Sequence, residues 1–377
     1  MDISFTPEQE AFCKAVRGFL AAHCDRTVVR QLEAGDLGYS QDHWRAMAQM
    51  GWLGLAFPAA YGGQGKGFTE LAILLEEFGR HPFPTPYQNA ALQSALAILH
   101  LGSESQKKAH LSKLFDGSSR YAFCLTEASA SYDPWGVNVR AIMRGPEYAI
   151  NGAKLFIQYG ASADHYIVVA RTRDTEDHAD GITVFLVEAN AKGITKTPLK
   201  SMADDKQCEI VFNQVMVSRQ NILGTLHKAW PALQKVITLS TIAASAELAG
   251  CARAALEHAV DYAKHRVQFG KPIGSFQAVQ HYAADMLTAA DAATLAVYDA
   301  ASRVDQGLSH VIEASQAKAV SSDAALRVTA KGHQIMGGIG VYKERDMQLW
   351  YRRAKVMEQL FGDAQYHREK VAQLMML

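Results

Sequence analysis

The chain has 377 residues, 49% hydrophobic and 20% charged, enough for a sizeable core in two or three structural units. Its 38 basic and 38 acidic residues balance, which excludes a broad basic field for nucleic acid or anionic lipid and leaves only a local patch for a phosphate-bearing ligand. The five scattered cysteines (Cys13, Cys24, Cys124, Cys208, Cys251) contain no CxxC pair, which argues against a disulfide framework or a zinc site and for a reducing compartment.

The opening Met1 to Glu8 has neither a basic stretch nor an apolar run, so it does not read as a signal peptide. No uncharged apolar run reaches the about 18 residues of a membrane span. A cytoplasmic protein without a membrane span is the expectation. Thr6-Pro7-Glu8 reads as a helix start, with a hydroxyl cap, proline in the first turn and acids behind it. Helical texture continues to about residue 118, interrupted at Gly51–Pro58 and at the Tyr61–Gly65 loop. Ser103 and Gln106 have capping-box spacing.

From Tyr121 the texture changes to β-branched and aromatic runs, Tyr148–Gly152, Tyr166–Ala170, Ile182–Val187 and Glu209–Val217, ending near Gly224. Three long helical patterns follow: alanine-rich Val236–Arg266, Gln277–Val304 and Ile312–Met336. The order helices, strands, helices argues against a doubly wound sheet. The expected fold class is α+β, mostly α. Its domains are an N-terminal helical domain over 1–118, a central antiparallel β-domain over 119–225 and a C-terminal four-helix bundle over 226–377.

Three stretches carry candidate chemistry. Phe123 to Asp133 clusters small and hydroxyl residues whose backbone N–H groups suit a phosphate or a flavin edge, although an ordinary loop has the same composition. Arg266 to Gln277 breaks a long helix at Gly270 and Pro272, restarts it with Ser275 as the cap, and offers an arginine fork for an anion; a plain helix–helix turn is the alternative. Gln334 to Gly340 holds three glycines in four residues, which permits close backbone approach to a ligand or simply ends a helix. It is not a dinucleotide fingerprint, because it follows a helix.

Together, in this order, the three stretches resemble the acyl-CoA dehydrogenase family. Met50–Leu55 with Pro58 and Tyr61-Gly62-Gly63, Lys154-Leu155-Phe156-Ile157 and Asn221–Gly224 are similar to further motifs of that family, so the resemblance spans the chain. It implies FAD, an acyl-CoA substrate, an electron-transfer flavoprotein or similar acceptor, and a homodimer, a tetramer or an α2β2 heteromer with a sister subunit. By resemblance, Phe123, Leu125 and Thr126 line the flavin and Phe156 covers one face of its ring. Arg266, Gln268 and Phe269 reach the pyrophosphate and adenine side of a neighbouring chain's cofactor. Ile273, Phe276 and Gln277 hold its adenosine half, and Gln334, Gly337, Gly338 and Gln365 make further FAD contacts.

The departures concern chemistry. Tyr132 stands where the family's T-E-P-x-A-G-S-D loop has a small hydroxyl residue, and Gln158 replaces a threonine or serine near the flavin. Dehydrogenation needs a carboxylate to take the α-proton while hydride leaves the β-carbon for the flavin. Where the family has glutamate in an E-G-T turn, this chain reads Phe361-Gly362-Asp363. The alternative glutamate position on the long helix is Ser240, followed by Thr241 in place of arginine. These two smaller residues point to a bulky or long acyl group. Three readings stand open. Asp363 is the base from a shifted loop; or the chain is the base-less partner of a heteromer, its F-G-D resembling the small subunit of pimeloyl-CoA-type dehydrogenases; or the fold serves other flavin chemistry, such as oxygenation. For Asp363, a helix N-cap is the plain structural role.

Overall fold

The computed structural model describes residues 4–376. Met1, Asp2, Ile3 and Leu377, which the expected terminal domains and the signal-peptide reading include, lie outside the described residues. Among the described residues the helices are α1 (Pro7–His23), α2 (Arg26–Ala34), α3 (Gln41–Gln49), α4 (Phe68–Arg80), α5 (Ser94–Leu101), α6 (Glu104–Phe115), α7 (Trp230–His265), α8 (Gln277–Asp305), α9 (Val311–Met336), α10 (Met347–Gln359) and α11 (Ala364–Leu374). Between α6 and α7 run β1 (Tyr121–Cys124), β2 (Arg140–Arg144), β3 (Glu147–Gln158), β4 (His165–Arg171), β5 (Ile182–Glu188), β6 (Ile194–Leu199), β7 (Gln207–Ser218) and β8 (Ile222–Leu223). The chain is thus helices, sheet, helices, as its texture predicts.

Local caps fix several helix starts. The Thr6 hydroxyl accepts from the Gln9 N–H at 3.2 Å while Gln9 Oε1 accepts from the Thr6 N–H at 3.0 Å. Ser103 and Gln106 repeat this reciprocal bond at α6. Ser275 does not behave as predicted. A 3-10 turn covers Ile273–Ser275, Phe276 takes the N-cap position of α8, and the Ser275 hydroxyl donates to the Pro272 carbonyl at 2.8 Å. The hydroxyl is consumed by a local turn, the usual competitor of a helix cap.

The chain divides into two compact units. One comprises Leu32–Lys66 and Pro84–Ser240 and holds the sheet, whose order is β6-β7-β3-β2-β4-β5-β8 with β1 beside β4. Most ladders are antiparallel; β1 runs parallel to β4 in register Tyr121 with His165. Alternate residues of the strands build its core, among them Cys124, Ile150, Val168, Phe185, Ile210 and Phe212. The other unit comprises Met1–Gln31, Gly67–Phe83 and Thr241–Leu377. In it α9 packs against α8, α10 and α11, and α4 against α1 and α8. α4 and α7 cross closely where Gly79 meets the Glu247 carbonyl and Gly250 meets the Glu76 carbonyl. Among the described residues, no helix is long and apolar enough to cross a membrane.

Candidate functional site

In the sheet unit, Phe123, Leu125, Thr126 and Phe156 come together. A π-helical turn at Tyr87–Gln93 precedes α5 and buries Asn89, whose Oδ1 accepts from the Phe123 N–H at 2.7 Å. Sequence periodicity gives no signal for this turn. β1 stops at Cys124, and Leu125 and Thr126 continue without a strand partner. Instead, the Leu155 N–H donates to the Thr126 carbonyl at 2.9 Å. The β3–β7 ladder slips between Lys154 and Ile157. At that bulge Phe156 takes a left-handed φ of 58° and its ring is 49% exposed. Bulges of this kind re-aim a side chain away from the pleat. Phe123 and Leu125 are buried, and Thr126 is half-buried.

In the helical unit, Arg266 follows the last residue of α7 and a two-stranded hairpin comes next, pairing Val267 with Pro272 and Gln268 with Lys271. The Ile273 N–H returns to the Arg266 carbonyl at 2.8 Å. At the hairpin tip Phe269 is 92% exposed with φ 53°. Its ring meets Phe276 edge-on at 6.1 Å, and Lys271 Nζ lies 4.5 Å from the Phe276 ring centre. Arg266, Gln268 and Gln277 are exposed, and Ile273 is half-buried. Gln334 is exposed in the last turn of α9. Gly337 and Gly338 begin a 3-10 turn with nothing within 4 Å of where a Cβ would stand. Gln365 is exposed on the first turn of α11.

The Phe361-Gly362-Asp363 turn between α10 and α11 is held on every side. Phe361 is 4% exposed with φ 62°, and Gly362 has φ 103°. Asp363 caps α11: its Oδ1 accepts from the Tyr366 N–H at 2.8 Å. Lys318, fully buried on α9, donates to the carbonyls of Glu358 and Gly362, both at 2.7 Å, and to the Ser322 hydroxyl at 3.3 Å. Burial pushes this amine down to about 7, opposed by Glu358 and Asp363. Buried His367 donates from Nε2 to the Phe361 carbonyl at 3.0 Å, and its Nδ1 is buried with no partner among the described residues. The sequence reading did not single out Lys318 or His367. The one available signal was a lysine within an otherwise small-residue face of α9. Ser240, the alternative base position, is fully buried, and among the described residues its hydroxyl has no partner that could make it basic.

His367 makes a pH prediction. Burial, then Lys318 and Lys370, push it down to about 3, against weaker upward pulls from the Phe361 carbonyl and Asp363. Between the ordinary histidine value of about 6.5 and that value the unfolded chain binds a proton that the folded chain refuses. Stability from this group is therefore full above about pH 6.5 and is lost as pH falls toward 3. His367→Gln, which keeps a neutral N–H donor, is expected to flatten the acid side of a melting-temperature profile. An unchanged acid limb contradicts the assignment.

The residues present suit a flat aromatic cofactor carrying phosphates. In the sheet unit an apolar ring is held outward on a strained bulge, which suits the ring of such a cofactor; in the helical unit a diglycine turn leaves its backbone open and an arginine stands exposed, which suits the phosphates. FAD carries both parts, and each unit by itself fits one of them.

The profiles described as acyl-CoA dehydrogenase N-terminal, middle and C-terminal domain match residues 6–118, 122–215 and 228–376. The caffeyl-CoA reductase-Etf complex subunit CarC of Acetobacterium woodii is 30% identical over 367 residues, 96% of each chain. The solved butyryl-CoA dehydrogenase of Megasphaera elsdenii is similar with a TM-score of 0.93 at 31% identity, over 100% of both chains. A chain of the ChsE4-ChsE5 complex from Mycobacterium tuberculosis is similar with a TM-score of 0.90 at 25% identity, over 100% of this chain and 99% of that one.

Proposed function

Since this chain belongs to the acyl-CoA dehydrogenase family of FAD-dependent flavoproteins, we propose that it works in acyl-CoA α,β-dehydrogenation as the subunit without its own base in a heteromer. One observation carries this reading: the base position holds a buried phenylalanine, and the only carboxylate of the turn is spent on capping α11. A sister chain supplies the glutamate. FAD, when bound, provides the hydride acceptor. Phe156 covers the flavin ring, with Leu125 and Thr126 at its edge, while Arg266, Gln268 and the Gly337-Gly338 turn serve a neighbouring chain's cofactor. The resemblance to one chain of a two-protein complex, and to a subunit of an Etf complex, supports both the heteromer and an electron-transfer flavoprotein as acceptor. The division into segments 1–118, 119–225 and 226–377 belongs to the same proposal.

The test is activity toward a panel of acyl-CoA thioesters with an artificial electron acceptor, for the chain alone and co-expressed with a glutamate-bearing sister. The isolated chain is expected to be inert and the complex active. Asp363→Asn separates the readings further. Asparagine caps a helix about as well as aspartate, so the complex should keep its turnover and its FAD. Asp363→Ala should cost about 1 kcal/mol of stability through the lost cap. If Asp363→Asn instead lowers turnover by about two orders of magnitude or more with FAD retained, Asp363 is the base and the heteromer reading falls.

A further inference from the structure

Behind the Leu125–Thr126 segment, the proposed flavin edge, lies an ion pair that the proposed chemistry leaves unused. Lys154 is completely buried and Glu127 is 6% exposed. The Lys154 ammonium donates to Glu127 Oε1 at 2.7 Å and to the Leu125 carbonyl at 2.9 Å. Glu127 also accepts from the N–H groups of Asn138 at 2.9 Å and Val139 at 3.0 Å. With the Leu155 N–H on the Thr126 carbonyl, three consecutive residues past the end of β1 are tied to two consecutive residues of β3. The next residue of β3 is Phe156, on its bulge.

A buried pair of this kind is a poor source of stability. Desolvating both charges costs about as much as their attraction returns, and apolar replacements of similar volume are often neutral or better. What it adds is direction: it orders a segment that no strand ladder holds. It also polarises the peptide between Leu125 and Thr126. A carbonyl bound to an ammonium makes the N–H on the same peptide a stronger donor, and hydrogen bonds in series reinforce one another where water is excluded.

We infer that Lys154 and Glu127 are positioning residues for the cofactor: together they hold the Leu125–Thr126 edge in register with the Phe156 ring and set the polarity of the peptide facing the flavin. This rests on the reading that FAD binds at these residues. The strain at Phe156 and the pair beneath it form one device, since slippage of the 125–127 segment would move one wall of the slot and leave the other.

The experiment uses the full chain, co-expressed with its sister where that is needed for loading. Lys154→Gln with Glu127→Gln removes both charges and keeps neutral partners for the Leu125 carbonyl and for the Asn138 and Val139 N–H groups, so the fold should survive with a melting temperature near that of the wild type. FAD is expected to dissociate at least about tenfold more readily, the worth of one charged hydrogen bond. The flavin absorption bands and reduction potential should shift in whatever FAD remains. Lys154→Arg, which keeps a cation, should recover part of the affinity. A double variant that folds and binds FAD with wild-type affinity, spectrum and potential overturns the inference and leaves the pair a packing feature. If the double variant fails to fold, the pair is structural and the inference is equally overturned. A wild-type complex that takes up no FAD sinks the underlying cofactor reading instead, a distinct result visible before any variant is made.

Discussion

Phe361→Glu should turn the isolated, FAD-loaded chain from inert to active, raising acyl-CoA oxidation by about 10²–10⁴-fold, the usual contribution of a positioned general base. The turn should keep its shape without the phenyl ring. Its carbonyls are fixed from outside, Phe361 by His367 and Gly362 by Lys318. The left-handed φ at 361 is already borne by a residue with a Cβ, so glutamate brings no new backbone strain. Glutamate is also smaller than phenylalanine, so no expansion of the turn is required, while burying its carboxylate where the ring stood should lower the melting temperature. The measurement is single-turnover flavin bleaching with an acyl-CoA panel. A variant that binds FAD and folds but bleaches no faster than wild type shows that the chain lacks more than a base. In that case its role is confined to completing a sister subunit.

Gly250→Ala should unfold the helical unit or cost it about 4 kcal/mol or more, the range reserved for a clash that cannot relax. A Cβ at Gly250 would fall on the carbonyl oxygen of Glu76 and stand 3.0 Å from the Arg80 nitrogen. These are backbone atoms of α4, so no rotamer change relieves the contact. Gly79 makes the reciprocal contact, its missing Cβ directed at the Glu247 carbonyl and 3.0 Å from the Cys251 nitrogen. Two such approaches fix α4 against α7 at backbone distance, and the helices would have to separate to admit even a methyl group. A thermal scan or a urea titration decides the matter: a melting temperature within a degree or two of wild type would mean that the crossing is looser than its glycines indicate. Gly79→Ala should behave alike, and the double variant should cost less than the sum, because the first separation already makes room for the second methyl.

How much of this was legible beforehand depends on the range of the interaction. The caps at Thr6 and Ser103 were readable because donor and acceptor lie three residues apart and the chemistry is complete within one turn. Four of the strands, β3, β4, β5 and β7, were readable because β-branched and aromatic residues concentrate in them. The order helices, strands, helices, the absence of glutamate from both expected base positions and the spacing of the three candidate stretches all follow from the linear string. Ser275 was misread even at this range, since two local partners, the helix end and the Pro272 carbonyl, compete for one hydroxyl.

What only the tertiary structure decided are pairings whose partners are far apart in the chain. Lys154 and Glu127 are 27 positions apart, Asn89 and Phe123 34, Lys318 and Gly362 44. Nothing in their neighbours announces such pairs, because the path of the chain, and not its local conformation, brings them within hydrogen-bond distance. The same holds for Phe156, whose outward ring depends on a slipped register with β7, and for Asp363, whose use as a cap shows only once the Tyr366 N–H is seen at 2.8 Å. Local propensity and periodic burial thus set the elements of this protein and their order. The polar anchors that hold its proposed cofactor and base positions arise from long-range packing, where a buried charge is tolerated only because distant backbone groups arrive to satisfy it.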